Sequence, residues 1–318
     1  MATGSWLKVL SASPDHFYVA FLGQALVGIA QIFILGVPAR LAAVWFGPRQ
    51  VSTACALGVF GNQGAVFQKE PPLPPSPAQA TLRHEVTVSD KSVERHAYLK
   101  TLKSLFTNRN FVLLLISYGI NVGVFYVVST LLNQIVLLHF ANAEEDAGRI
   151  GLTIVLAGVV GSVTGGIVLD KTHRFKESIL VVYFMALAGM LAFTFTLKLG
   201  HIWIIYLTSG FLGFFMTGYL GIGYEFAAEL TYPIPEGTSS GLLNASSEVF
   251  GVLFTLTGGE ILDAYGDMAT NCTMAALLLA GLAMTTLIEG TALKRQAAVA
   301  ARCVHSYLQQ DEILTTQT

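Results

Sequence analysis

Between Arg109 and His139 lies the run FVLLLISYGINVGVFYVVSTLLNQIVLL, residues 111–138, in which no side chain carries a charge. A bilayer's hydrocarbon takes about 20 apolar residues to cross as a helix. Apart from closed barrels, only helices satisfy their own backbone hydrogen bonds there. Further apolar runs near or above that length are 17–37, 150–169, 178–197, 202–224, 237–259 and 271–288. The composition agrees, with 53% hydrophobic and only 12% charged residues, against about 25% charged in soluble domains. The expected fold class is all-α, a polytopic transmembrane helical bundle. Residues 51–67 make a shorter run with three glycines, Asn62 and Gln63, and read as half a span. Residues 1–16 lack the basic start and small-residue cleavage site of a signal peptide.

Lys and Arg collect in cytoplasmic loops, and the later loops alternate accordingly. The connector 68–110 opens with PPLPPSP and carries Arg83, Lys91, Arg95, Lys100, Lys103 and Arg109, so it is placed inside as a linker with an amphipathic stretch near 98–106. Loop 139–149 is acidic and outside, 170–177 is basic and inside, 260–270 is acidic and outside, and the tail 289–318 is inside. Only 225–236, placed inside without any Lys or Arg, breaks the pattern. The expected organisation is 1–67 as a front transmembrane portion, 68–110 as cytoplasmic linker, 111–288 as a six-helix transmembrane half and 289–318 as cytoplasmic tail. Arg40 and Arg49 also place the end of the first span inside, which is inconsistent with a single crossing by 51–67 before an inside connector. Charge parity therefore points to a missing span.

Glu248 is the one charge in 237–259, and an ionisable group at that depth marks a functional position unless it is neutralised by packing. Tyr126 shares its uncharged run with Asn121, Ser129 and Asn133, and reads either as a structural tyrosine or as the wall of a wet cavity. Gln24, Gln31 and Gln63 are intramembrane amides of the kind that bond between helices. Gly151, Gly158, Gly161 and Gly165 give one helix a small-residue face that serves close packing or sliding. Gly-Thr-Ser-Ser-Gly at 237–241 has a hydrolase-elbow pattern, but prolines precede it and an apolar helix follows. It reads as a helix start whose hydroxyls cap free N–H groups. Cys55, Cys272 and Cys303 form no disulfide or metal spacing and read as small buried hydrophobes. Asn271-Cys272-Thr273 is a formal sequon abutting the last helix. With no His-Glu-x-x-His, P-loop or complete Gly-x-Gly-x-x-Gly, neither enzymatic activity nor a cofactor is expected.

Gly166-x-x-x-Asp170-Lys171-x-His173-Arg174 resembles the cytoplasmic loop motif of the major facilitator superfamily, departing from it at His173 and Phe175. That resemblance makes Asp170, Lys171 and Arg174 a candidate gating loop. AQIFILGVPARLAAVWFGPRQVSTACALGVFGNQ, FVLLLISYGINVGVFYVVSTLLNQ, AGRIGLTIVLAGVVGS, GFFMTGYLGIGYEFAAELTYPIPEGTSSGLLNASSEVFG and GGEILDAYGD, in that order, resemble the feline leukaemia virus subgroup C receptor-related (FLVCR) family of that superfamily. The resemblance implies a twelve-helix plan in two halves. Against that plan the chain lacks about helices 1–3, the end of 5 and most of 6, leaving a partial major facilitator fold with the C-terminal six-helix half complete.

It further implies facilitative transport of choline, with ethanolamine as a second substrate, at the plasma membrane. Haem transport and a shortened form that only binds or acts as a receptor are the alternatives. The implied partners are a small organic cation or haem and the lipid bilayer, with no nucleic acid. By motif, Gln63 in FGNQ, Tyr126 in FYVVS and Glu248 in NASSEVFG match family positions lining the substrate site. The family has Gln where this chain has Glu248, and completes its aromatic cage from a first helix that this sequence does not contain.

Overall fold

The computed structural model describes residues 50, 53–54, 94–140 and 143–289, with the side chains of 94–99 excepted. The first apolar run, most of 51–67 and the tail after Glu289 lie outside the described residues. Every regular element among the described residues is helical: α1 (Glu94–Thr107), α2 (Arg109–His139), α3 (Glu144–Thr172), α4 (Phe175–Thr196) with a 3-10 turn (Leu197–Leu199), α5 (Ile202–Thr231), α6 (Glu236–Tyr265) and α7 (Asp267–Thr286). The amphipathic stretch expected in the connector is therefore a helix of its own. Five of the six long helices, α2 to α5 and α7, are long and apolar enough to cross a membrane. The sixth, α6, is just as long, but carries Glu236, Asn244, Glu248, Glu260 and Asp263 and is not among those five, although its residues 237–259 read as a span in the sequence.

Several helix boundaries have a local cause. The backbone N–H groups of Asn110 and Phe111 donate to Asn108 Oδ1 at 3.2 and 3.4 Å, capping α2, while Asn108 Nδ2 donates to the Leu230 carbonyl near the end of α5. Glu144, Glu145 and Asp146 fill the first turn of α3, where negative charge opposes the positive end of the helix dipole. His173 ends α3 in the left-handed conformation, φ 51°. A non-glycine residue there costs roughly 1–2 kcal/mol, which explains why the loop motif calls for glycine where this chain departs from it.

The helices pair as α3 on α5, α2 on α6, α4 on α5 and α7 on both α2 and α4. At the α3–α5 crossing, a Cβ added to Gly161 would overlap the Phe214 backbone, and one on Gly158 would lie 2.6 Å from Thr217 Oγ1. The glycine face of α3 thus provides close backbone approach in lipid. Aromatic rings enter glycine notches elsewhere. Phe250 and Phe254 of α6 sit against Gly119 and Gly123 of α2 respectively, Tyr118 of α2 against Gly223 of α5, and Tyr183 of α4 against Gly281 of α7. Tyr183 Oη also donates to the Ser117 carbonyl at 3.1 Å, and Ser246 Oγ to the Leu115 carbonyl at 2.9 Å. Each bond joins two helices without leaving a polar atom unpaired in hydrocarbon. Outward stripes such as Leu152, Val155, Leu156 and Val160 on α3 remain exposed and apolar, as a lipid-facing surface requires.

Several expectations need correction. α5 continues to Thr231, so Glu225 and Glu229 lie buried in its last turns rather than in a loop. α6 begins at Glu236 without a side-chain cap; Ser239 and Ser240 instead donate back to the Glu236 carbonyl at 3.1 and 2.8 Å. Those hydroxyls have no water to turn to, and the carbonyl one turn back is the nearest acceptor. Cys272 is exposed rather than buried, since it follows the buried Asn271 around α7 and so points away from the bundle. Cys55 and Cys303 lie outside the described residues.

Candidate functional site

α2 and α6 run side by side, so Tyr126 and Glu248, 122 positions apart in sequence, come together. Tyr126 Oη donates to Glu248 Oε1 at 3.3 Å. That is long for an O–H···O bond, whose usual length is about 2.7–2.8 Å, so the carboxylate keeps accepting capacity for another donor. Both side chains are half-buried. The neighbour that sequence reasoning missed is Gly251. A Cβ there would lie 3.1 Å from Tyr126 Cε2 and still closer to Cδ2, so the ring lies this close to α6 only because Gly251 has no side chain. The signal was present in SEVFG, where Gly251 follows Glu248 by one helical turn. Gln63 lies outside the described residues, as do Gln24 and Gln31.

The polar positions of α2 do not form one face. Asn121 is wholly buried, whereas Ser129 and Asn133 are exposed. Asn121, Ser129 and Asn133 are spaced by eight and four residues, and helix–helix packing covers the first and leaves the others open.

The residues read as a gating loop are divided between a helix and a turn. Asp170 belongs to the last turn of α3 and is 8% exposed, while Lys171 and Arg174 are exposed and Arg174 Nη1 donates to Glu177 Oε2 at 3.0 Å. Asp170 Oδ2 accepts from the Thr53 backbone N–H at 2.8 Å and from Thr53 Oγ1 at 2.5 Å. Thr53 belongs to the run read as half a span, so this carboxylate links the six-helix unit to the front of the chain.

At the other end of the bundle, His139 Nε2 and Asp267 Oδ2 lie 2.9 Å apart, joining the last turn of α2 to the first residue of α7. Tyr206 Oη donates to Asp146 Oδ1 at 3.0 Å, joining the starts of α3 and α5. His139 is therefore engaged within the protein, and His201 is exposed at the start of α5. No group of three His, Cys, Asp or Glu side chains able to hold a metal gathers among the described residues.

Comparison with known proteins places this geometry in context. Residues 52–200 match the family model described as the Organic Anion Transporter Polypeptide (OATP) family, which covers less than half the chain. Whole-chain similarity is stronger. The chain is 47% identical to the choline/ethanolamine transporter flvcr2a of Danio rerio, over 93% of this chain and 71% of that protein. It is 45% identical to the choline/ethanolamine transporter FLVCR2 of Homo sapiens, over 93% of this chain and 63% of that one. It is 43% identical to the choline/ethanolamine transporter FLVCR1 of Felis catus, over 90% and 58%. The chain thus spans about three fifths of the length of its mammalian relatives. Among solved structures, the Escherichia coli fucose:proton symporter FucP superposes with a TM-score of 0.61 over 90% of this chain and 82% of that one, at 11% identity. That likeness speaks to the fold alone: a major facilitator bundle. Fold and whole-chain identity agree, and the chain belongs to the FLVCR family of the major facilitator superfamily.

Proposed function

We propose that this chain contributes to facilitative transport of a small organic cation, choline or ethanolamine, with Tyr126, Glu248 and Gln63 lining the path. The observation that carries the proposal is the meeting of Tyr126 and Glu248 on neighbouring long helices, half-buried and joined by a long hydrogen bond. An aromatic face attracts a quaternary ammonium through its quadrupole, and a carboxylate beside it adds charge. The named activities of the whole-chain relatives support the same substrate class. An organic anion, as in the description of the partly matching family model, would be placed against the Glu248 carboxylate and repelled. The relatives' names give no support to a haem cargo.

The two cations use this pair differently. Ethanolamine carries an ammonium with three N–H donors, which makes charge-assisted bonds to a carboxylate. Choline's trimethylammonium has no N–H to give and depends on the ring. In cells or liposomes carrying the protein, Glu248→Gln is expected to weaken ethanolamine competition roughly tenfold while leaving labelled choline uptake within about threefold. Complete loss of choline uptake in the folded Gln variant would contradict this division of roles. Uptake by the parent chain no higher than in empty controls would favour a membrane protein that binds without transporting.

We also propose that the Asp170–Thr53 linkage holds one end of the path closed and releases when it opens. The arrangement fits alternating access, in which two bundles rock about a central site. We place this end, with Lys171 and Arg174, in the cytoplasm by the positive-inside pattern. Asp170→Asn keeps the shape of the side chain and removes its charge. It should slow uptake several-fold and leave equilibrium choline binding within about twofold, since a charge-assisted bond is roughly twice as strong as a neutral one. Equal losses in rate and binding would point to misfolding or a direct substrate role instead.

A further inference from the structure

The bilayer-facing basic end of the bundle carries a second candidate site, remote from Tyr126 and Glu248. A groove of about 970 Å³ lies between α1 and loop 231–234, at the upper end of the range of about 300–1,000 Å³ in which small-molecule sites fall. Lys100, Lys103 and Arg109 line one wall, together with Ser104, Thr107 and Asn108, and no acid lines it among the described residues. All three basic residues are exposed. Phe106, on the same helix, is 55% exposed and presents a bare ring beside them.

We infer that this groove binds the phosphate-bearing headgroup of an anionic phospholipid in the adjoining leaflet. Three observations carry the inference independently of the substrate site. First, α1 leads through one cap residue into the spanning helix α2, so the groove sits at the level where chain enters hydrocarbon. A cationic segment there is attracted by anionic lipid. Second, Phe106 beside Lys103 is the pairing of an interfacial helix, with an apolar ring for the acyl boundary and ammonium groups for the headgroups. Third, the opposite wall is the one basic-side loop that has no Lys or Arg of its own. The charge on that side comes instead from α1, folded against it through the Asn108–Leu230 bond of 3.3 Å. A bound headgroup would bridge α1 and the α5–α6 loop.

The test uses the purified full chain in neutral detergent, with thermal unfolding as readout. Dioctanoyl phosphatidylinositol bisphosphate should raise the unfolding midpoint saturably, and dioctanoyl phosphatidylcholine should not. The Lys100→Gln/Lys103→Gln/Arg109→Gln variant should need at least about tenfold more of the anionic lipid for the same shift, since three charge contacts are lost. If that variant is unstable, Lys103→Gln alone should give an intermediate shift. Equal stabilisation by phosphatidylcholine, or an unchanged response in the variants, would overturn the inference. Stabilisation by free inositol trisphosphate equal to that by the lipid would also overturn it, assigning the groove to a soluble anion.

Discussion

Labelled choline uptake should fall roughly 30-fold on Tyr126→Ala and by no more than about threefold on Tyr126→Phe, because about 2 kcal/mol of attraction between a desolvated cation and an aromatic face is lost in the first and kept in the second. The pair of variants separates two roles. If the Tyr126 hydroxyl matters chiefly through its bond to Glu248 at 3.3 Å, Phe should behave like Ala. If the ring face matters, only Ala should fail. Gly251→Val then tests placement rather than chemistry. It leaves Tyr126 intact but puts branched carbon where the ring now lies against α6, and it should reproduce the Ala defect in choline binding. Full activity in Gly251→Val would mean that the ring need not lie where it does. The measurement is initial uptake across a range of choline concentrations, normalised to the amount of folded protein at the membrane.

The second large effect concerns folding. Gly161→Leu is expected to lower the yield of folded protein severely, because the new side chain must displace the Phe214 backbone rather than a mobile side-chain end. Overpacking a core costs about 1–3 kcal/mol where neighbouring side chains can shift, and backbone displacement lies at or beyond the top of that range. Gly165→Ala is the control. A Cβ there meets the flexible end of Ile222, Cδ1 at 3.2 Å and Cγ1 at 3.6 Å, and the Gly218 carbonyl at 3.5 Å, so it should be nearly neutral. Monodispersity in detergent size-exclusion and the thermal midpoint report both variants. A well-folded Gly161→Leu protein would show that α3 and α5 can separate at little cost.

These two cases also show what the amino-acid order reveals and what it conceals. The spanning segments of α2 to α5 and α7 are visible because hydrocarbon excludes charge, so each announces itself by composition. The ends are less visible. Hydropathy stops at Tyr224, yet α5 continues to Thr231 because Glu225 and Glu229 are buried against protein rather than released into water. In the candidate site, Glu248 stands out as an acid in an apolar run, and Tyr126 and Gln63 were marked by family resemblance. Gly251 follows Glu248 by one turn, but a glycine in a helix has many uses, and only the neighbouring helix reveals which one applies. The same holds for Gly158 and Gly161, whose spacing fits sliding and close packing equally well until Thr217 and Phe214 are seen against them. Cys272 was misread because its neighbours in sequence are apolar, while exposure in a spanning helix depends on angular position around the axis.

The rings seated in glycine notches act as pegs in sockets. Phe250 puts its ring at Gly119 of α2, and its Cβ lies with the Phe254 ring at Gly123, one helical turn along. Drawing α6 along α2, or away from it, has to free both contacts at once. Tyr126 in its socket at Gly251 fixes the same pair from the opposite direction. Tyr126 and Glu248 therefore stand on a wall whose two studs are pinned to each other in both senses. The surfaces free of such pegs are outward faces such as Val249, Val252, Leu253 and Leu256 of α6. It is along those smooth faces, and not between α2 and α6, that a neighbouring body can shift with the least resistance.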